Sequence, residues 1–239
     1  MTTTVKGQPP STQIRAKLKA ENRPVLVAMS LGKDAIATNL ALKEDGIATE
    51  LAYLYGVPGT DGRKCLKFVE RTISDLEQAF QQKIHCYPHP NFYRMLNNLT
   101  LQPPERIAII EAAKLPHITY EEEWQYIRED LHLPPDTWVA DGVRAADSIV
   151  RRAAFTKHGA MKPTTRKVSP IYDWLKKEVL DIIDRHHIPL PVDYELFGRS
   201  FDGIDYRFSK PLKDHFPEDF EQLKFWFPLV DLELMRCGD

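Results

Sequence analysis

The sequence predicts an α/β fold: an open, mostly parallel sheet with helices on both faces, followed by a small helical appendage. Three observations carry this expectation. Short apolar, partly β-branched runs at residues 25–29, 48–57, 83–87 and 137–140 alternate with segments whose apolar residues recur at three and four. The first run, VLVAM, lacks the polar alternation of a half-exposed strand and reads as a strand covered on both faces. Residues 193–239 differ in texture, being dense in Phe, Tyr and Trp, with Pro211, Pro217 and Pro228 limiting helix length.

Taken in order, residues 1–12 are polar and carry Pro9-Pro10, the mark of a mobile tail, while TQIRAKLKAEN (12–22) suits a short amphipathic helix stopped by Pro24. After the first strand, Ile36, Ala37, Leu40 and Ala41 define one face of a helix over Lys33–Glu44, with Gly46 as its stop. ATELAYLYGV then completes a strand-helix-strand unit with a right-handed crossover, and VPGTDGR breaks it as an exposed loop. In residues 65–82, Leu66, Val69, Ile73, Leu76 and Phe80 share a helical face; KIHCY is a third strand. Residues 103–130 read as helical, interrupted at Leu115-Pro116-His117, and TWVA (137–140) is a fourth strand running into Asp141-Gly142-Val143-Arg144. Asp173 is placed to cap a helix over 174–185, with Glu178 in its first turn and Val179, Ile182 and Ile183 facing inward. The organisation expected is a tail and short helix (1–23), a main α/β domain (24–191) and an appendage (192–239) packing over the ligand edge of the sheet.

A chain of 239 residues, 43% hydrophobic and 28% charged, is ordinary for one globular domain with a small addition. The net charge of -2 excludes a general nucleic-acid coat protein, which needs a clear cationic excess. A local patch remains: from Ser148 to Tyr172 there is no acidic residue, whereas Arg151, Arg152, Lys157, Lys162, Arg166 and Lys167 all occur. Nucleic acid is expected only through this basic stretch, 151–167. Cys65, Cys86 and Cys237 are too far apart for a CxxC pair or a ligand quartet. No signal-like segment or bilayer-length apolar run occurs, so a soluble, cytoplasmic protein without membrane partners is expected.

The chemistry concentrates at strand ends, where open α/β sheets bind ligands. At Ser30-Leu31-Gly32-Lys33-Asp34-Ala35 a strand turns into a helix. Gly32 is expected to supply a positive φ and a close backbone approach, the first-turn amides form an anion site, and Lys33 adds charge. Asp34 suits the helix dipole and is the candidate magnesium ligand. The plainer reading is a capped helix with solvated charges, and the Walker A pattern is absent. A second group, Gly142, Arg144, Ser148 and Arg151, has spacings of four and three that bring Arg144, Ser148 and Arg151 to one side of a helical turn. His85-Cys86 with His89 is read as structural, His186-His187 as suited to a helix C-terminus, and Tyr120-Glu121-Glu122-Glu123 as a solvated helix start.

In combination these segments resemble the phosphoadenosine phosphosulfate (PAPS) reductase-like family of the PP-loop ATP pyrophosphatase superfamily. SLGKDA (30–35) is similar to its S-x-G-K-D-S loop except at Ala35; Gly142-Val143-Arg144 with Ser148 and Arg151 resembles its G-x-R-x-x-x-S-x-x-R segment; SPIYDWLKKEV (169–179) resembles its P-I-x-D-W segment. The resemblance spans residues 25–191. It implies an adenine nucleotide α-hydrolase-like fold, ATP or a related nucleotide held by Ser30, Leu31, Gly32, Lys33, Asp34, Ala35, Gly142, Arg144, Ser148 and Arg151, magnesium on Asp34, and attack at the α-phosphate of ATP, activating an unnamed acceptor for sulfur or nitrogen chemistry. Lys33, Asp34 and Arg144 carry the catalytic expectation. Family reductases use a cysteine near the C-terminus, which makes Cys237 the candidate for a thiol-dependent PAPS or APS reductase; the retained Lys33-Asp34 pair favours ATP cleavage. No iron-sulfur cluster is expected without a cysteine quartet. A third reading is an idle nucleotide-binding module acting on a partner through the aromatic tail, and homodimers are common among similar proteins.

Overall fold

Pro24 halts one helix, and the apolar run behind it opens the central strand. In the computed structural model, which describes residues 5–60, 62–198, 201 and 203–236, α1 (Ser11–Glu21) is followed by β1 (Val25–Ala28), α2 (Lys33–Glu44), β2 (Thr49–Tyr55), α3 (Lys67–Phe80) and β3 (Ile84–Pro88). Next come α4 (Pro90–Asn97), α5 (Pro104–Ala113), α6 (Tyr120–Asp130), β4 (Val139–Ala140), α7 (Ile149–His158), β5 (Met161–Lys162), β6 (Lys167–Val168) and α8 (Lys176–Arg185). Four further helices follow among the described residues: α9 (Asp193–Leu196), α10 (Tyr206–His215), α11 (Pro217–Trp226) and α12 (Asp231–Arg236). The α/β class is the one the sequence predicts, with strands in the order β3-β2-β1-β4-β6-β5 flanked by helices.

The chain divides into two compact units, one of residues 1–53, 76–85 and 124–190, the other of 54–75, 86–123 and 191–239. In the first, β1 pairs in parallel with β2, Val25 opposite Thr49, and with β4, Leu26 opposite Val139. β4 pairs in parallel with β6, and β6 runs antiparallel to β5. Leu26, Val27, Leu51 and Ala140 are buried, as continuous apolar strands require. α2 packs on α8: the buried Ile36, Leu40, Val179, Ile182 and Ile183 supply apolar surface, and Glu44 pairs with Arg185 beyond it.

Asp173 does not cap α8. That helix starts at Lys176 behind Leu175, whose N–H donates to Glu178 (2.8 Å), while the buried Asp173 accepts from the Ser11 N–H (3.0 Å) and so ties down α1. The β5-β6 hairpin occupies part of the stretch read as a basic loop; two-residue strands are too short to show periodicity.

In the second unit, Asp219 accepts from the N–H groups of Lys67 (2.6 Å) and Phe68 (3.0 Å), satisfying the first turn of α3. Phe68 stacks on Phe216 at 4.9 Å and meets Phe201 edge-on at 5.3 Å, so the aromatic density of the tail is core material. α4 was not legible from apolar spacing. Its signal is His89-Pro90: proline at the first helical position, and an imidazole Nδ1 accepting from the Asn91 N–H at 2.9 Å.

Candidate active site

Three sequence motifs converge in the first unit, and their meeting can be followed bond by bond. β1 ends where the Met29 N–H donates to the Ala52 carbonyl (2.8 Å); the Ser30 N–H then turns back to the Ala28 carbonyl (3.1 Å). The left-handed residue of this turn is Leu31 (φ 59), not Gly32, which is extended (φ -84, ψ 159) and forms the N-cap of α2. This corrects the role expected of Gly32. A left-handed leucine costs about 1–2 kcal/mol, and burial of the Leu31 side chain offsets it. No side chain caps α2, so its first-turn amides are not satisfied that way.

Gly142 is where the second motif touches the first. A Cβ there would lie 2.7 Å from the Asp34 carbonyl carbon, 2.8 Å from its oxygen and 2.9 Å from the Ala35 nitrogen. Only glycine lets the end of β4 approach the start of α2 so closely. The third motif holds the second from the other side, the Ala145 N–H donating to the Tyr172 carbonyl (2.7 Å).

Across this junction runs an alternating line of charge. Lys33 Nζ lies 2.6 Å from Asp34 Oδ2, and Asp34 Oδ1 lies 2.9 Å from Arg144 Nε. Arg144 Nη2 donates to Asp147 Oδ1 (2.7 Å), and Arg151 Nη1 to Asp147 Oδ2 (2.6 Å). Three cations therefore share two carboxylates. The Asp34–Arg144 approach is an ion pair without hydrogen-bond alignment, which leaves Asp34 Oδ1 and Arg144 Nε buried without a hydrogen bond.

Arg144, Ser148 and Arg151 are brought together differently from the expected helical turn. Arg144 precedes α7; Ser148 caps that helix, its Oγ accepting from the Arg151 N–H (3.1 Å), and Asp147 links the two arginines. Asp147 was missed in the sequence, although its spacing of three and four from the two arginines was visible. Asp141 was also missed as a site former. It accepts from Ser169 Oγ (2.6 Å) and the Val143 N–H (3.1 Å), shaping the turn into Gly142; burial pushes its carboxyl up, opposed by those two bonds and by Lys162 and Lys167. Ala35 is buried and brings no hydroxyl.

Asp34 offers magnesium a single carboxylate with one oxygen lacking a hydrogen bond, which fits an ion held mainly by phosphate oxygens. Among the described residues no group of three or more His, Cys, Asp or Glu could hold a metal. His85 lies 3.9 Å from Glu50, and His89 serves as a helix cap, so that cluster does not converge. Cys65 is buried, its thiol pushed up by burial; Cys237 lies outside the described residues. Among the described residues no helix is long and apolar enough to cross a membrane.

No protein-family model matches the chain, and no curated protein matches it. Among solved structures, a PAPS reductase from Candida auris in a phosphate complex is similar at 13% identity and a TM-score of 0.49, covering 84% of this chain and 90% of that one. The U34-tRNA thiolase NcsA from Methanococcus maripaludis, with its [4Fe-4S] cluster, is similar at 13% identity and a TM-score of 0.41, covering 92% of this chain and 78% of that one.

Proposed function

We propose that the chain binds ATP at the ends of β1 and β4 and cleaves it between the α- and β-phosphates, releasing pyrophosphate and passing AMP to an acceptor or activating that acceptor. The observation that carries this reading is the gathering of Lys33, Arg144 and Arg151, spaced by Asp34 and Asp147, together with helix amides that no side chain caps. An anion with several oxygens is the guest that such a surface fits.

The residues divide the work by position. Lys33 and the first-turn amides of α2 meet the phosphate chain. Arg144, buried and fixed by Asp147, is held ready for charge that builds on the α-phosphate and the departing pyrophosphate, so little reorganisation is needed during reaction. Asp34 orients both cations while the site holds no anion, and gives up these pairs as Lys33 and Arg144 turn to phosphate. Magnesium, when bound beside Asp34, would supply further neutralisation of phosphate charge. Asp141 shapes the turn that brings Gly142 against the start of α2.

Phosphorus NMR of the protein with ATP and magnesium, with and without sulfate, tests this reading. Pyrophosphate and AMP signals are expected, falling about a hundredfold or more in rate in Lys33→Ala. Absence of both products with a broad acceptor panel, together with ATP binding equal in the parent and Lys33→Ala, would overturn it.

A further inference from the structure

A second set of ionisable groups lies wholly in the other unit. The Tyr55 carbonyl at the end of β2 accepts from the His89 N–H (2.9 Å), which joins that strand to the start of α4. His89 in turn meets Tyr120 at the start of α6, with Nε2 3.2 Å from the hydroxyl and the rings edge-on at 5.5 Å. Its Nδ1 accepts from the Asn91 N–H, so Nε2 carries the proton and the ring is neutral. One turn beyond this outer pair stand Tyr93, four residues after His89, and Glu123, three after Tyr120.

Glu123 is 3% exposed, and its Oε1 has no hydrogen-bond partner. Among the described residues no hydrogen bond or ion pair reaches its side chain, and burial raises its carboxyl. Its neighbours do not neutralise it. The Tyr55 hydroxyl is pushed up to about 12, by burial first and then by Tyr93, Cys65, Cys86 and Glu123; Tyr93 is raised by burial and by Glu123. Tyr55 and Tyr93 are acids, the His89 imidazole is neutral, and the nearby Arg94 guanidinium is engaged by Asn91 Oδ1. Tyr55, Tyr93 and Cys86 are part-exposed.

We infer that this is a binding site for a small organic cation, an alkylammonium or guanidinium group that donates to Glu123 Oε1 in the neighbourhood of the Tyr55 and Tyr93 phenols. A buried carboxylate without a partner is costly, and a cationic donor is the ligand that removes the cost. The phenol rings add cation–π attraction, strongest when water is excluded. A metal ion is not the guest, because too few ligands converge among the described residues. No residue of the nucleotide site takes part, so the two readings stand or fall separately.

The test uses the full chain, with n-butylammonium and methylguanidinium as probes and n-butanol as the neutral control. Calorimetry gives affinity, and carbon NMR of carboxyl-labelled glutamate reports the Glu123 signal. Both cations should bind and shift that signal, n-butanol should not, and Glu123→Gln should weaken cation binding about tenfold or more while its thermal midpoint stays at or above that of the parent. Tyr93→Phe, which keeps the ring, should retain cation binding. Equal binding of n-butanol, equal binding in Glu123→Gln, no binding of either cation, or a Glu123 response to zinc alone would each overturn the inference.

Discussion

Arg144 at the strand-end site and Glu123 in the second unit are buried to the same degree, 4% and 3% exposed, yet the protein treats their charges in opposite ways. Arg144 is flanked by Asp34 and Asp147, which are flanked in turn by Lys33 and Arg151, so each carboxylate lies between two cations. Glu123 raises the phenols of Tyr55 and Tyr93, and among the described residues no cation pairs with it. A guest complements the charge it meets: anionic where cations gather in the first region, cationic where the buried carboxyl lies in the second. The comparison also separates two kinds of preorganisation. Ion pairs keep the cations in place while no anion is present, whereas burial alone raises the carboxyl of the second region above its ordinary range.

The largest effect is expected on breaking the matched region at its centre. Arg144→Ala leaves Asp34 and Asp147 without their shared partner. Breaking a buried pair costs about 3–5 kcal/mol, and the partial exposure of both aspartates puts this case at about 3 or below. Pyrophosphate release should fall about a hundredfold or more. Arg144→Lys restores the charge but not the planar fork that reaches two carboxylates, so urea unfolding should show recovered stability while phosphorus NMR shows activity still low. If Arg144→Ala melted with the parent, the alternating line would not be a structural network.

A smaller effect sharpens the same comparison through the backbone. Gly142→Ala forces a methyl group to within 2.7 Å of the Asp34 main chain, which cannot withdraw without moving α2. Overpacking of this kind costs about 1–3 kcal/mol. At Gly56, in the second unit, a methyl group would meet nothing within 4 Å, so Gly56→Ala should change stability by less than about 0.5 kcal/mol. Urea unfolding of both variants gives the contrast directly; equal losses would show that the close approach at Gly142 is not what fixes that position as glycine.

The fold class and the first motif were legible because both depend on local patterns. Apolar runs mark β1 and β2, and three-four spacing sets α2 at Lys33–Glu44, as observed. What escaped were features set by partners far along the chain. Asp173 has the composition of a cap but is claimed by Ser11, 162 residues away, and the turn expected of Gly32 falls on Leu31 because a buried leucine is held there by the core. Asp147 was passed over because an acidic residue beside arginines reads as solvated charge, when here it joins Arg144 to Arg151. Glu123 was read as part of a solvated helix start; Glu121 and Glu122 are exposed as that reading requires, and only the third glutamate turns inward.

That inward turn has a consequence for stability. Burial raises the Glu123 carboxyl above its ordinary value, so in the window between the unfolded and folded pKa the folded protein binds more protons than the unfolded chain. Stability from this group is therefore fully present below the ordinary glutamate pKa and is lost as pH rises through the folded one. Tyr55, Tyr93 and Cys65 are raised away from this window, and burial lowers His89. Glu44 and Glu77 are lowered and Asp141 is raised, so the parent curve alone mixes signs. Subtracting the curve for Glu123→Gln isolates the group: parent minus variant should decline with rising pH, and a flat difference would show that Glu123 is solvated in the folded protein. Saturating n-butylammonium should reverse the slope, since a cation that donates to Glu123 favours the carboxylate over the acid.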